Sequence, residues 1–329
     1  MKERRSPFRN NAFSGTLSRE KEEVFMAYAK TQKLIERACR NGVAIPAFNI
    51  PYLPMIEPVV KALRDCSSFG MIVVARLEWE KFESRSPEAV AEEYHKFKLP
   101  AHTRLHLDHV PVIDEDNLRV DYLDIIRRAL AAGYESVMID GSRLPLNENI
   151  YCTKEVADLA HAAGVPVEAE LGAVMGHEDG PLPPYEELFA SGKGFTDPDE
   201  AREFVQRSGA DWLSVAIGNI HGAISAAAKG KQKVAARLNI EHLDRIYKAA
   251  GVPLVLHGGT GIRKEYIMES VRHGIAKINV ATAIRQPYER EIARGIPAAQ
   301  DAVYAAMLTV IDDDLEIRNS SEILKPTEE

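Results

Sequence analysis

From about residue 28 onward, short apolar runs alternate with amphipathic stretches, and each run has the length and the Val, Ile and Leu content of a strand. Eight runs predict strands: Val43 to Phe48, Met71 to Ala75, Thr103 to Leu107, Ser136 to Ile139, Val165 to Leu171, Trp212 to Ala216, Pro253 to Leu256 and Ala276 to Val280. Pro46 weakens the first, because proline cannot donate to a ladder and belongs at an edge or a bulge. Between the runs, Asp121 to Ala132, Ile150 to Ala163, Asp197 to Ser208, Ile240 to Ala250 and Arg263 to His273 carry helical periodicity. Gly133, Gly164, Gly209, Gly251 and Gly274 follow them, where glycine tolerates the left-handed backbone that ends a helix. Strand and helix in eightfold alternation predict an α/β protein and favour a closed (β/α)8 TIM barrel over an open doubly wound sheet. The barrel is expected over residues 28–296, with an N-terminal extension over 1–27 and a helical C-terminal tail over 297–329.

Several runs end in residues suited to chemistry. Leu105-His106-Leu107-Asp108-His109 alternates until an acid and an imidazole close it, so His106 and Asp108 share one face and His109 is expected at the turn that follows. His221 and His257 end two further runs, each followed by glycine. In a barrel all three would converge at the C-terminal end of the strands, where such enzymes place their sites. Three imidazoles meeting there point to one metal ion, whereas each alone reads equally well as a satisfied polar residue in a loop. Asp140, Glu170, Asn279 and Thr282 also stand at strand ends, and a carboxylate such as Glu170 in an apolar strand needs a partner or a metal. Gly258-Gly259-Thr260-Gly261 offers free backbone amides ahead of a helix, an arrangement suited to phosphate.

The chain has 329 residues, 45% hydrophobic and 27% charged, enough for one large core. A formal net charge of −8 argues against a non-specific nucleic-acid surface. No run approaches the ~18 apolar residues of a membrane span. Cys39, Cys66 and Cys152 are odd in number and widely spaced, which gives neither a disulfide framework nor a metal-binding pair and fits a reducing cytoplasm. The first residues are basic and polar without the apolar core of a secretory signal, and read as a surface or subunit-contacting arm.

From about Ala29 to Glu291 the words PAFN (46–49), LHLDH (105–109), VMIDGS (137–142), EAELG (168–172), EDG (178–180), GNIHG (218–222), LHGGTG (256–261) and KINVAT (277–282) stand in an order that resembles the class II, metal-dependent ketose-bisphosphate aldolases of the fructose- and tagatose-bisphosphate type. The resemblance implies a lyase of carbohydrate metabolism that cleaves a phosphorylated ketose to dihydroxyacetone phosphate and an aldehyde. It implies a catalytic Zn²⁺ on His109, His221 and His257, with Asp140 and Glu170 as alternative metal contacts, and a monovalent cation as a further candidate beside the phosphate site. Asp108 would handle the proton of the C4 hydroxyl and Glu178, on a mobile loop within Gly176 to Gly194, the proton at C3. Asn49 and Asn279 would lie against the substrate, and Gly222, Gly258, Thr260 and Thr282 would bind one phosphate. The cation would act as a Lewis acid for the charge left when the C3–C4 bond breaks, in place of a Schiff-base lysine.

This sequence also departs from the pattern. Arg76 stands near the end of the second strand where a small hydroxyl residue is usual, and either enters the barrel mouth as a specificity residue or turns outward to Glu78 or Glu80. Ala281 replaces an acidic residue of many fructose-type enzymes, Ser225 stands where lysine often follows the His-Gly pair, and His177 precedes Glu178. Lys229, Lys231 and Lys233 could supply the missing charge. Three readings follow: a zinc aldolase on a phosphorylated ketose, a same-fold aldolase on a different phosphorylated or acidic substrate, and a catalytically silent subunit. A sugar phosphate is the expected small-molecule partner, with no nucleic acid or membrane, and a homo-oligomer is the expected assembly.

Overall fold

A computed structural model describes residues 31–172, 185–219 and 236–325. Its eight strands are Ile45–Asn49 (β1), Gly70–Ala75 (β2), Thr103–Pro111 (β3), Ser136–Asp140 (β4), Val167–Leu171 (β5), Trp212–Val215 (β6), Leu254–Leu256 (β7) and Ile275–Val280 (β8). They pair in parallel and in sequence order, and the ring closes where Ile45 to Phe48 of β1 meets Lys277 to Val280 of β8. This is the expected (β/α)8 barrel. It also removes the difficulty at Pro46. A closed barrel has no edge, and Pro46 precedes the first β1–β2 pair at Ala47, so its missing N–H costs a single ladder bond at the start of the strand.

The alternation of each strand divides the core in two. Outward-facing residues such as Phe48, Ile72, Leu105, Val137 and Leu213 join the apolar faces of the surrounding helices in one continuous shell. Inward-facing Ile45, Ala47, Met71, Val73, Trp212 and Val255 form a second, smaller cluster with Leu34, Ile35 and Ala38 of a helix over residues 31–41. That helix lies against the N-terminal end of the barrel, where Gln32 accepts the Trp212 indole N–H at 2.6 Å. With that end filled, the C-terminal mouth is the open one.

The helices begin and end where local chemistry sets them. Asp121, Asp197 and Asn239 accept backbone N–H groups of the first turns that follow, and Gly209 and Gly251 close two helices at φ 77° and 69°. The helix expected from Ile150 starts earlier, at Leu146, because Pro145 sets its entry and the polar first turn hides the periodicity. Part of the irregular stretch expected over Gly176 to Gly194 is ordered as a helix, Tyr185–Ser191. The C-terminal residues are helical too: Ile296–Thr309 packs along Ile56–Asp65, and Ser320 Oγ accepts the Phe69 N–H at 3.0 Å. Among the described residues no helix is long and apolar enough to cross a membrane.

Candidate active site

The inner face of the barrel turns from apolar to polar towards the mouth. In β5 Glu168 and Glu170 are two apart and so face inward together; the same holds for Lys277 and Asn279 in β8 and for His106 and Asp108 in β3. All six are buried. A barrel filled by branched aliphatics is the usual result, so a layer of charges here must be satisfied internally or be arranged for chemistry.

Two adjacent residues, Asp108 and His109, both serve this site, although consecutive strand residues point to opposite faces. The register between β3 and β4 explains how. It shifts between Leu107 and Val110, a bulge that re-aims the strand, and His109 takes φ 31°, in the left-handed region that a side chain rarely adopts. His109 is therefore not at a turn beyond the strand, as its sequence position suggests, since β3 continues to Pro111. The bulge swings its ring into the mouth while leaving Asp108 there.

His109 Nε2 and His257 Nδ1 face each other at 2.6 Å. The opposite nitrogen of each ring is held by a carboxylate: Asp140 lies 3.3 Å from His109 Nδ1, and Glu168 lies 2.8 Å from His257 Nε2. Those carboxylates fix the tautomers so that both inner nitrogens converge on one point, which is how metal-binding histidines are oriented. Glu170 Oε2 approaches the same place, 3.4 Å from His257 Nδ1. Both inner nitrogens are imidazole donors of the kind a zinc ion takes. The donor set fits a divalent cation of the zinc type. Asp108, His109 and His257, and separately His109, Asp140 and Glu170, converge closely enough to hold one.

The charges around this point are strongly coupled. Burial disfavours a charged His109, yet Asp108, Asp140 and Glu170 outweigh it and push the ring up to about 10. Burial and the neighbouring His109 pull His257 the other way. Burial and repulsion from Asp140 push Glu170 up to about 8.

Asp108 occupies a cradle of donors. The Asn49 amide reaches it at 2.9 Å and the Asn279 amide at 3.0 Å to each oxygen. Burial works against its charge, but His109, Lys277, His257 and His106 together hold it well below the usual carboxylate range. Lys277 is fully buried in β8, with its ammonium 2.7 Å from Asn279 Oδ1 and 2.9 Å from Glu168 Oε2. It links the carboxylate that orients His257 to the amide that holds Asp108. Lys277 and Glu168 were not among the residues the sequence singled out, although a charge two places before Glu170 or Asn279 in an apolar strand is the available signal. Lys277→Met is expected to cost about 3–5 kcal/mol, because it strands a buried carboxylate; denaturant unfolding of parent and variant, both with excess zinc, measures it. A loss below about 1 kcal/mol would mean that Glu168 finds another cation.

At the rim, Gly258 to Gly261 follows β7 and Thr282 starts the helix Thr282–Glu291 after β8. Gly259 is required by close approach: a Cβ there would lie 2.7 Å from Ile278 and 3.1 Å from the Asn279 carbonyl oxygen. The loop thus presses onto β8 beside Asn279, with Thr260 and Thr282 both partly exposed. Asn219 ties the end of β6 to this edge by donating to the His257 carbonyl at 3.0 Å. Arg76 begins the short helix Arg76–Lys81 after β2, and its guanidinium lies 3.4 Å from Asp114 and 3.9 Å from Glu80. The outward contact with Glu80 is thus present; the one with Asp114 was not foreseen, and Glu78 is occupied elsewhere. His221, Gly222, Ser225, Lys229, Lys231 and Lys233, with His177 and Glu178, lie outside the described residues.

Comparison with known proteins agrees with this fold. Residues 29–322 match the model of the family described as fructose-bisphosphate aldolase class II. The YdjI aldolase of Escherichia coli K12 is similar in structure, with a TM-score of 0.70 and 29% identity over 88% of this chain and 98% of its own. A candidate fructose-1,6-biphosphate aldolase from Coccidioides immitis gives 0.69 and 29%, over 88% and 96%. The fructose-bisphosphate aldolase of Campylobacter jejuni shares the fold, at 0.65 and 18% over 89% and 95%. This chain belongs to the class II fructose-bisphosphate aldolase family, whose members are metal-dependent lyases.

Proposed function

We propose that the protein is a zinc-dependent aldolase that reversibly cleaves a phosphorylated ketose, of the fructose- or tagatose-1,6-bisphosphate type, to dihydroxyacetone phosphate and an aldehyde. The observation that carries this is the pair His109 Nε2 and His257 Nδ1, converging beside the ionised Asp108 with a carboxylate behind each ring. His109 and His257, with His221, would hold the ion, and Asp140 or Glu170 would offer it an alternative contact. Bound there, zinc would supply Lewis acidity towards the substrate carbonyl and the adjacent hydroxyl.

In this reading the chain's own groups move the protons. Asp108 takes the proton of the C4 hydroxyl as the C3–C4 bond breaks, a role supported by its being an ionised carboxylate placed beside the converging His109 and His257. Glu178 returns a proton to C3. Asn279 and Asn49 orient Asp108 and line the substrate, while Gly258, Thr260 and Thr282 at the β7–β8 rim, together with Gly222, hold one phosphate, with a monovalent cation beside it. Residues 28–296 form the catalytic unit between the N-terminal extension and the C-terminal tail. A cytoplasmic homo-oligomer is the assembly that fits this chemistry best.

A different phosphorylated or acidic substrate is the second reading, favoured by the departure at the end of β2, where Arg76 stands in place of a small hydroxyl. One experiment separates the readings. Metal-stripped protein is reconstituted with zinc and assayed for retro-aldol cleavage of fructose- and tagatose-bisphosphate, their monophosphates and acidic analogues. Turnover of a bisphosphate that needs zinc, with no borohydride-dependent lysine adduct, is expected. Full activity after metal removal, or cleavage confined to acidic analogues, would overturn the first reading.

A further inference from the structure

Lys277 is a long cation sealed inside the barrel, one layer deeper than Asn279 on the same strand, and the proposed chemistry gives it no proton to move. Burying an ammonium is costly unless its donors are met. It carries three hydrogens and no acceptor. Asn279 Oδ1 takes one at 2.7 Å, and the Glu168 carboxylate is hydrogen-bonded through Oε1 at 3.2 Å and paired through Oε2 at 2.9 Å. Asp108 Oδ1 lies further off, at 3.9 Å. Lys277 therefore reaches the carboxylate of Asp108 through Asn279 and not by a hydrogen bond of its own.

An amide has one end that donates and one that accepts, and its partners decide which way it is turned. At Asn279 the ammonium can only donate, so it holds the carbonyl oxygen, and the amide nitrogen is left facing Asp108, 3.0 Å from each carboxylate oxygen. The reverse orientation would set nitrogen against ammonium and oxygen against carboxylate. Lys277 and Asn279 are two apart in β8 and share its inner face, which brings the ammonium to the amide. Asn49 meets only Asp108 Oδ2, so the hold on Oδ1 comes from Asn279. His106 Nε2 also faces these acids, 3.9 Å from Asp108 and 3.5 Å from Glu168, but hydrogen-bonds to neither.

We propose that Lys277 is a positioning residue for turnover: by fixing the Asn279 amide it sets the direction in which Asp108 presents its carboxylate, a role separate from its pairing with Glu168. The turnover part of this inference rests on the reading of Asp108 as the proton acceptor; the chain of hydrogen bonds from Lys277 through Asn279 to Asp108 does not. One ammonium then serves two functions through two arms. The arm to Glu168 steadies the carboxylate behind His257 and bears on metal affinity. The arm to Asn279 bears on proton transfer once the metal is bound.

Two double-mutant cycles on the full, zinc-loaded chain test it. Lys277→Met is made in the parent, in Asn279→Ala and in Glu168→Gln, and each protein is compared in kcat per bound zinc, KM for both bisphosphates, zinc affinity and unfolding midpoint. In the parent, Lys277→Met is expected to lower kcat at saturating zinc by about tenfold or more, the worth of a hydrogen bond to a charged group, with KM little changed. The loss should nearly vanish in Asn279→Ala, because the group it acts through is gone, and persist in Glu168→Gln, because that arm does not carry the effect on turnover. An unchanged kcat in the parent background, a loss that survives in Asn279→Ala, or one that disappears in Glu168→Gln would overturn the proposal and leave Lys277 a structural partner of Glu168. If Lys277→Met does not fold alone, the Asn279 cycle is run wholly within Glu168→Gln, where that carboxylate is no longer stranded. Should the parent cleave no sugar phosphate, the aldolase reading fails by itself. Unfolding midpoints then decide the chain of hydrogen bonds: coupled losses for Lys277→Met and Asn279→Ala support it, and additive losses refute it.

Discussion

Asp108→Asn is expected to keep its zinc and lose kcat by roughly 10² to 10⁴, the span of a general acid–base residue. Two features of the site set this expectation. The carboxylate is ionised against strong desolvation, because four cationic or imidazole groups surround it. Its oxygens are already met by the Asn49 and Asn279 amides, three contacts of 2.9 to 3.0 Å, so it is held as a base and not as the main metal ligand. An asparagine keeps one acceptor oxygen and turns an N–H₂ towards two amide donors, so one of those contacts must also break. The substitution thus removes the proton acceptor and loosens its orientation together. Zinc content measured beside single-turnover cleavage distinguishes the outcomes: a loss of metal equal to that in a histidine variant would make Asp108 a ligand.

The barrel was legible because strands buried on both faces leave apolar runs bounded by glycine and polar caps. Each observed strand overlaps its expected run, and the ends differ mainly where an element carries no periodic signal, as in the polar first turn at Leu146. Asp108, His109, Asp140 and His257 were legible as polar residues closing apolar runs, a reading that gains weight only when several such runs end together. What was not legible depended on backbone detail. The bulge that brings His109 beside Asp108 leaves no trace in composition, because the shift is a matter of pairing between β3 and β4. Glu78 was hidden too: its burial follows from a short helix that folds the side chain back on the Ala75 N–H, and sequence spacing alone put Arg76 there. Glu168 and Lys277 were within reach of the alternation rule and needed only its application one step deeper into the barrel.

Removing a proposed metal ligand is expected to have the largest effect of all. His257→Ala should abolish zinc binding and turnover together, and chelation of the parent should abolish activity that added zinc restores. The ring sits fully buried at the end of β7, one nitrogen on His109 and the other on Glu168, so its removal takes a donor from the centre of the convergent group. Its loss would also leave the Glu168 oxygen that it meets facing a cavity, with Lys277 as the remaining partner. Glu168→Gln supplies the graded control. It keeps the size of the side chain and removes the charge that orients His257, a change that typically costs 10- to 100-fold in metal affinity. Zinc affinity by competition with a chelating dye should therefore fall in the order parent, Glu168→Gln, His257→Ala, with turnover at saturating zinc largely recovered in the glutamine variant alone. Turnover in chelated parent protein, or a His257→Ala protein that binds zinc as tightly as the parent, would remove the ion from the mechanism and leave the paired imidazoles without a task.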